Sequence, residues 1–167
     1  SISKVDRQVE DVAGLGELSC YMEKEIFEQG QAIEDTFSGR FESHDSNVKL
    51  GGINLDFEIN KVLFLGCGTA YHACLLGKYF MENIANVSAS VEFASEYKYK
   101  NTPTQEGTLV VAISQSGETI DTLSAIKEAQ SKGLKVIAIT NVVSSSIARQ
   151  VEEGVYQRVG AEVSVAS

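Results

Sequence analysis

Three almost uninterrupted apolar runs, each followed by a helical pattern, constrain the fold of this chain more than any other feature. They lie in the predicted strands Lys61–Leu65, Thr108–Ile113 and Lys135–Thr140. Continuously apolar strands are typical of a parallel sheet that is covered on both faces, since a half-exposed strand alternates polar and apolar residues. Repeated strand–helix–strand units with right-handed crossovers then predict a doubly wound, three-layer α/β sandwich.

Weaker patterns supply the other elements of this sandwich. Two more strands are predicted, Ser88–Phe93 and Val155–Val159, so the parallel sheet has about five strands. Four helices are predicted between the strands, over Thr69–Ile84, Ser95–Thr102, Ile120–Ser131 and Ser144–Val151. The first of these helices is expected to line one side with small and apolar residues, namely Ala70, Ala73, Cys74, Gly77, Met81 and Ile84.

The part of the chain before the sheet divides into two segments. Residues 1–18 are rich in charge and poor in periodicity, which predicts a linker or arm. Residues 19–60 are predicted to hold a lead-in helix, ended at Gly39, and a connection; residues 61–167 then form the binding domain. The helix is indicated by apolar residues spaced by four and seven, namely Met22, Ile26, Ile33 and Phe37.

Composition limits the classes of function. The chain has 167 residues, 43% of them apolar, and no apolar run long enough to span a membrane. Its polar beginning lacks a signal-peptide pattern, and because the first residue is Ser1 rather than Met we expect that an upstream part has been removed. The formal net charge of −9 disfavours a nucleic-acid partner. Three cysteines without metal-site spacing favour a reducing cytoplasm.

The segment richest in chemistry is the turn Ser114-Gln115-Ser116-Gly117-Glu118-Thr119, which follows a predicted buried strand. Its hydroxyl and amide side chains collect beside the free N–H groups of a helix N-terminus, where an anion can be held. A P-loop would need a lysine after the glycine, and Glu118 stands there instead. We expect Glu118 to point away from a ligand and to complement the helix N-terminus. The alternative is a plain capping cluster.

A second turn, Gly66-Cys67-Gly68-Thr69, follows the first apolar strand. It resembles a dinucleotide fingerprint, but Tyr71 stands where a small residue is required, so a nicotinamide or flavin cofactor is disfavoured and none is predicted. A tight turn without a ligand is the alternative. If strands 1 and 3 are neighbours, the two turns face each other across one crevice and together favour a phosphorylated small molecule.

Three further residues near these turns have open roles. Cys67 lies near a helix N-terminus, but without an adjacent histidine it is expected to line a ligand or pack rather than act as a nucleophile. His72 could reach the crevice, although a structural role is favoured. Glu96 could bind sugar hydroxyls or cap a helix, and the sequence does not decide between these roles.

Together, the segments Leu65–Tyr71, Glu92–Tyr97 and Ser114–Thr119 resemble the sugar isomerase (SIS) domain family, which has a flavodoxin-like sandwich. With Tyr21–Gln29 and Gly160–Ser167, they resemble more closely the isomerase domain of the glucosamine-6-phosphate synthases, or glutamine–fructose-6-phosphate aminotransferases. The resemblance implies a fructose 6-phosphate or glucosamine 6-phosphate ligand. It assigns the phosphate to Ser114, Gln115, Ser116 and Thr119, the sugar site to Cys67, Gly68 and Thr69, and its edge to Val165, Ala166 and Ser167.

The same resemblance implies which parts of such an enzyme are not in this chain. The family's glutaminase and its second isomerase half, with the acid/base glutamate and the Schiff-base lysine, are expected to be missing from this chain, so no catalytic residue is expected. No metal site is expected either, because the two histidines, His44 and His72, are too few and too scattered for a metal cluster. The chain is expected to bind but not turn over substrate, and to belong to a homodimer in the full-length protein. Ala70 stands where the family often has serine. A non-catalytic SIS-type sugar-phosphate sensor and a stand-alone phosphosugar isomerase are the alternatives.

Overall fold

The computed structural model describes residues 15–16, 18–41 and 48–164. Strands and helices alternate after the first helix, as the sequence predicts. In chain order the elements are α1 (Tyr21–Phe37), β1 (Lys61–Gly66), α2 (Thr69–Asn83), β2 (Ser88–Phe93), α3 (Ala94–Tyr97), β3 (Thr108–Ser114), α4 (Ile120–Ser131), β4 (Lys135–Thr140), α5 (Ser146–Gln150) and β5 (Gly154–Tyr156).

All five strands form one parallel sheet in the order β2-β1-β3-β4-β5. The doubly wound α/β fold is therefore confirmed. The chain first winds outward from β1 to β2 and then returns to place β3 on the other side of β1, with Leu65 opposite Ala112. The winding reverses between β1 and β3, and in such sheets ligands bind at this point, beyond the carboxyl ends of the strands.

The continuous apolar pattern of the inner strands arises because each strand serves two cores. Leu63 and Leu65 of β1 face a cluster that α4 completes with Ala125, Ile126 and Ala129. The alternate residues Val62 and Phe64 face a second cluster that includes Cys74 of α2. Burial of both faces removes apolar side chains from water on each side of the sheet, which is the main force that holds the three layers together.

Helix α2 packs on the sheet through part of its predicted apolar side. Cys74 is fully buried, and a Cβ on Gly77 would lie 3.0 Å from the ring of Phe64, so this glycine allows close packing of helix and strand. Ile84, which was also expected on this side, is 76% exposed because the helix ends at Asn83. Ala73 is likewise exposed, so these two assignments were wrong.

Several predicted elements have different bounds, and the helix expected over Ser144–Val151 spans only Ser146–Gln150. The helix expected over Ser95–Thr102 is only the four-residue α3, whose Tyr97 is buried in the core. The strand expected over Val155–Val159 ends at Tyr156. Beyond this point β4 offers no further partner, because it ends at Thr140, whose carbonyl accepts the N–H of Gln157 at 2.8 Å.

Helix α1 runs through Gly30 without a break and ends before Gly39, as expected. Its apolar side does not enter the core: Met22, Ile26, Ile33 and Phe37 are 46–57% exposed. Polar contacts attach the helix instead, since Thr36 accepts the N–H of Arg158 at 3.0 Å and Arg40 donates to the carbonyl of Tyr156 at 2.6 Å. No helix within the described ranges is long and apolar enough to cross a membrane.

Residues 53–59, in the connection before β1, contribute to the core without forming a helix or strand. Between Ile53 and Ile59, half-buried apolar residues alternate with exposed polar ones. The apolar ones pack on the sheet face that α2 also covers. This alternation is visible in the sequence, where the segment was interpreted only as a connection.

Candidate functional site

The two polar turns lie side by side at the carboxyl edge of the sheet. The first turn follows β1 and leads into α2 at Thr69, and the second follows β3 and leads into α4 at Ile120; β1 and β3 are paired neighbours. Neither helix has a side-chain cap among the described residues. Gly68, the N-cap of α2, has no side chain, and the side chain of Thr119, the N-cap of α4, forms no hydrogen bond with its own helix. The first N–H groups of both helices are thus not used by side-chain caps, and such groups at a helix N-terminus can stabilise an anion.

Glycines give both turns their shape. Gly68 has φ of 56° and Gly117 has φ of 65°, in the left-handed region that other residues adopt only with strain. Gly117 is also packed tightly, since a Cβ there would lie 2.1 Å from the Oγ of Ser145. No residue but glycine fits this position without movement of the neighbouring chain.

The second turn is organised by its own hydroxyl groups. The buried Oγ of Ser114 accepts the N–H of Gly117 at 3.1 Å and lies 3.1 Å from the Oγ1 of Thr119. The exposed Ser116 accepts the N–H of Glu118 at 3.2 Å. Thr119 therefore locks the turn rather than capping α4, which argues against the plain capping cluster. Asp121, in the first turn of α4, is an exposed carboxylate that locally opposes an anion.

The first residues of α5 hold the second turn from outside. The carbonyl of Gly117 accepts the N–H of Ile147 at 2.9 Å, and the carboxylate of Glu118 accepts the N–H of Ser146 at 2.8 Å. Glu118 thus complements the N-terminus of α5 rather than that of α4. This hydrogen bond, with help from Arg149, lowers the pKa of Glu118.

The structure places the other candidate residues as follows. Cys67 is half-buried against the core beneath α4, while Gly68 and Thr69 are exposed at the start of α2. His72 is exposed, with its ring edge-on to Tyr71. Glu96 lies 3.8 Å from the Nζ of Lys100. Val165, Ala166 and Ser167 lie outside the described residues, as do most of residues 1–18.

One aromatic pair beside the first turn was not predicted. The rings of Tyr71 and Phe93 stack with centroids 3.7 Å apart and planes at 6°, which joins the start of α2 to the end of β2. Both residues belong to segments quoted for the family resemblance, but nothing in the sequence shows that the two meet. Within the described residues, no cluster of histidine, cysteine and carboxylate side chains has the arrangement of a metal site.

A cavity of about 240 Å³ adjoins the second turn. Gln115 contributes to its wall, α1 provides a second side through Glu25 and Glu28, and the segment after β5 provides a third through Val159 and Gly160. A larger cavity of about 370 Å³ lies at the amino edge of the sheet, next to Gly107 and Lys135. The larger one is remote from both polar turns, so the candidate site is the crevice at the carboxyl edge.

Comparisons with known proteins agree with this geometry. Residues 57–167 match the sequence profile of the SIS domain. The chain is 47% identical over 161 residues to a glutamine–fructose-6-phosphate aminotransferase (isomerizing) of Caldanaerobacter subterraneus subsp. tengcongensis, covering 94% of this chain and 26% of that protein. A relative of the same name from Methanosarcina mazei is 45% identical over 151 residues, with 88% and 24% covered.

A solved structure is also similar along most of the chain. The C-terminal domain of glucosamine-fructose-6-phosphate aminotransferase from Francisella tularensis superimposes with a TM-score of 0.81 at 34% identity, covering 93% of this chain and 44% of that one. The chain therefore spans about a quarter of the length of the curated relatives it matches. The resemblance predicted from the sequence motifs is confirmed.

Proposed function

The chain belongs to the SIS domain family, and from that premise we propose that it is the phosphosugar-binding half of the isomerase domain of a glutamine–fructose-6-phosphate aminotransferase. Its ligand is then fructose 6-phosphate or the product glucosamine 6-phosphate. One observation carries the proposal: two neighbouring turns, each leading into a helix whose N-terminus has no side-chain cap in the described structure, meet at the reversal of strand order.

The proposed phosphate ligands come from the second turn. The exposed Ser116 and the half-buried Gln115 and Thr119 offer uncharged donors. Ser114 and Thr119 share one hydrogen bond, which uses one of their two hydroxyl protons and leaves the other for the phosphate, while the oxygen of Ser114 accepts the N–H of Gly117. The backbone N–H groups at the start of α4 add partial positive charge. With a net charge of −9, the chain repels a phosphate at long range, so local donors must provide the attraction.

The first turn is proposed to hold the sugar. Its residues Cys67, Gly68 and Thr69 follow the paired strand β1 and lie across the crevice from the second turn, residues 114–119, which we call the phosphate turn. Val165, Ala166 and Ser167 are proposed to complete the edge. The chain's part in amino-sugar formation is then to bind and orient: a phosphate fixed at one end of the substrate restricts where C1 and C2 lie when groups from another segment act on them.

Titration with fructose 6-phosphate tests this proposal. We expect binding, followed by calorimetry or NMR, that is lost when fructose replaces the phosphate ester. Thr119→Val should weaken binding about tenfold, because a hydrogen bond to a charged group is worth about 1.5–3 kcal/mol. Thr122→Val is the matched control on the same helix: its Oγ1 is buried without a partner among the described residues, and binding should not change. Equal affinity for fructose and its phosphate would overturn the proposal.

The same samples test one alternative, the stand-alone phosphosugar isomerase. The aminotransferase names of the matched relatives favour the isomerase-domain interpretation. A stand-alone isomerase would convert fructose 6-phosphate to the aldose form, which a coupled assay detects. We expect binding without such turnover by this chain.

A further inference from the structure

Two side chains from distant parts of the chain hold the segment 159–164, which follows β5. Asn141, directly after β4, accepts the N–H of Val159 on its Oδ1 at 3.0 Å, and its Nδ2 donates to the carbonyl of Gly160 at 3.4 Å. Glu25 of α1 accepts the N–H groups of Val163 at 2.8 Å and Ser164 at 3.2 Å. These hydrogen bonds give backbone groups of segment 159–164 the partners that a neighbouring strand would provide within the sheet.

Asn141 also links the segment to the phosphate turn. The backbone N–H of Asn141 donates to the carbonyl of Gln115 at 2.9 Å. One residue at the tip of β4 thus contacts the turn through its backbone and the segment through its side chain. The segment, Gln115 and α1 together enclose the cavity of about 240 Å³, so Asn141 fixes the spacing between two of the three walls.

Glu25 fixes the other end of the segment to α1, which is the third wall of the cavity. Besides the two N–H groups, the carboxylate of Glu25 accepts the hydroxyl of Ser164. These bonds lower the pKa of Glu25, chiefly the one from the Ser164 hydroxyl, so the group is charged at neutral pH. Glu28, one helical turn further, lines the same cavity but pairs with Lys24 at 3.6 Å. Glu34, further along α1, is an exposed carboxylate that does not line this cavity, so it serves as the matched control.

We propose that Asn141 and Glu25 are positioning residues, which hold segment 159–164 as the wall of the site that faces the sugar of the bound phosphosugar. The inference rests on the proposed function. The phosphate turn keeps its own internal hydrogen bonds when either side chain is removed, because Asn141 holds the turn with its backbone. Loss of either side chain should then impair recognition of the sugar while leaving recognition of the phosphate intact.

The test compares two probes on Glu25→Ala, Asn141→Ala, the double variant and the control Glu34→Ala. Each variant is first shown by urea unfolding to be folded under the binding conditions. For fructose 6-phosphate we expect affinity to fall about tenfold in Glu25→Ala and in Asn141→Ala and hardly further in the double variant, because both side chains hold the same segment. For inorganic phosphate, and for Glu34→Ala with either probe, we expect unchanged affinity.

Several results would overturn the inference. These are an equal loss for both probes, effects that multiply in the double variant, an equal effect of Glu34→Ala, or no effect at all. If the unaltered chain bound neither probe, the proposed function would fail instead. The positioning role would then be decided by amide exchange: faster exchange at residues 159–164 in both single variants supports it, and unchanged protection there refutes it.

Discussion

Gly117 packs against Ser145 so closely that any Cβ at position 117 would lie 2.1 Å from the Oγ of Ser145. Gly117 also has φ of 65°. We therefore predict that Gly117→Ala deforms the phosphate turn, lowers the free energy of unfolding by about 1–3 kcal/mol or more, and abolishes binding of fructose 6-phosphate. Urea unfolding and calorimetric titration measure the two effects.

Gly133→Ala is the control for this substitution. Gly133 has φ of 75°, but nothing lies within 4 Å of a Cβ built there. It should therefore cost only the backbone strain, about 1–2 kcal/mol, and leave binding unchanged. Similar binding losses in both variants would contradict a specific role of the turn.

The buried hydroxyl of Thr122 gives a prediction of the opposite sign for stability. Its Oγ1 has no hydrogen-bond partner in the described part of the chain, and the residue is fully buried. Thr122→Val replaces this oxygen by a methyl group of similar size, so the free energy of unfolding should rise by about 1 kcal/mol. Thermal and urea unfolding check this, and a loss of stability would show that the hydroxyl has a partner.

Glu118 should make the protein sensitive to acid. Its pKa is lowered in the folded protein by the bond from Ser146, from an ordinary value of 4.5. A carboxyl with a lowered folded pKa contributes stability above its unfolded pKa and loses it as the pH falls through the folded value.

The stability difference between the unaltered chain and Glu118→Gln should therefore shrink as the pH falls below 4.5. The other acidic groups are the same in both proteins, so their contributions to the pH dependence of stability cancel in this difference. A difference that stays constant from pH 7 to pH 3 would show that the Glu118 charge contributes nothing; urea unfolding at each pH provides the measurement.

Cys74 should make the stability of the protein depend on pH in the alkaline range. Burial raises the pKa of its thiol from 9.0 to about 12. Between these values the unfolded chain releases a proton that the folded chain keeps, so the thiol's contribution to stability is full below pH 9 and is lost as the pH rises toward 12. The loss of stability between pH 9 and pH 11 should be smaller in Cys74→Ala. Equal slopes in the two proteins would contradict the burial of this thiol.

Local patterns sufficed to predict the strands that are buried on both faces. The runs at Lys61–Leu65 and Lys135–Thr140 match β1 and β4 within one residue, because a strand buried on both sides has no position for a polar side chain. The adjacency of β1 and β3 was only assumed in the sequence analysis. It depends on the handedness and order of crossovers, which no short segment records.

Contacts between distant segments account for what was missed. Glu118 was expected to complement α4, yet its partner Ser146 lies 28 residues away on α5. The spacing of Met22 and Phe37 predicted a helical face correctly but could not show that this face stays half exposed. Asn141 gave no signal, because its importance arises from two segments that meet only in the folded chain.

The most direct test of the account is a backbone NMR titration of this chain with fructose 6-phosphate. We predict that the largest amide shifts occur at residues 66–69 and 114–120, on the two neighbouring turns, with small shifts at the amino edge around Gly107 and Gly133. Shifts confined to the amino edge, or no shifts at millimolar ligand, would contradict the claim that the two turns at adjacent strand ends bind the phosphosugar.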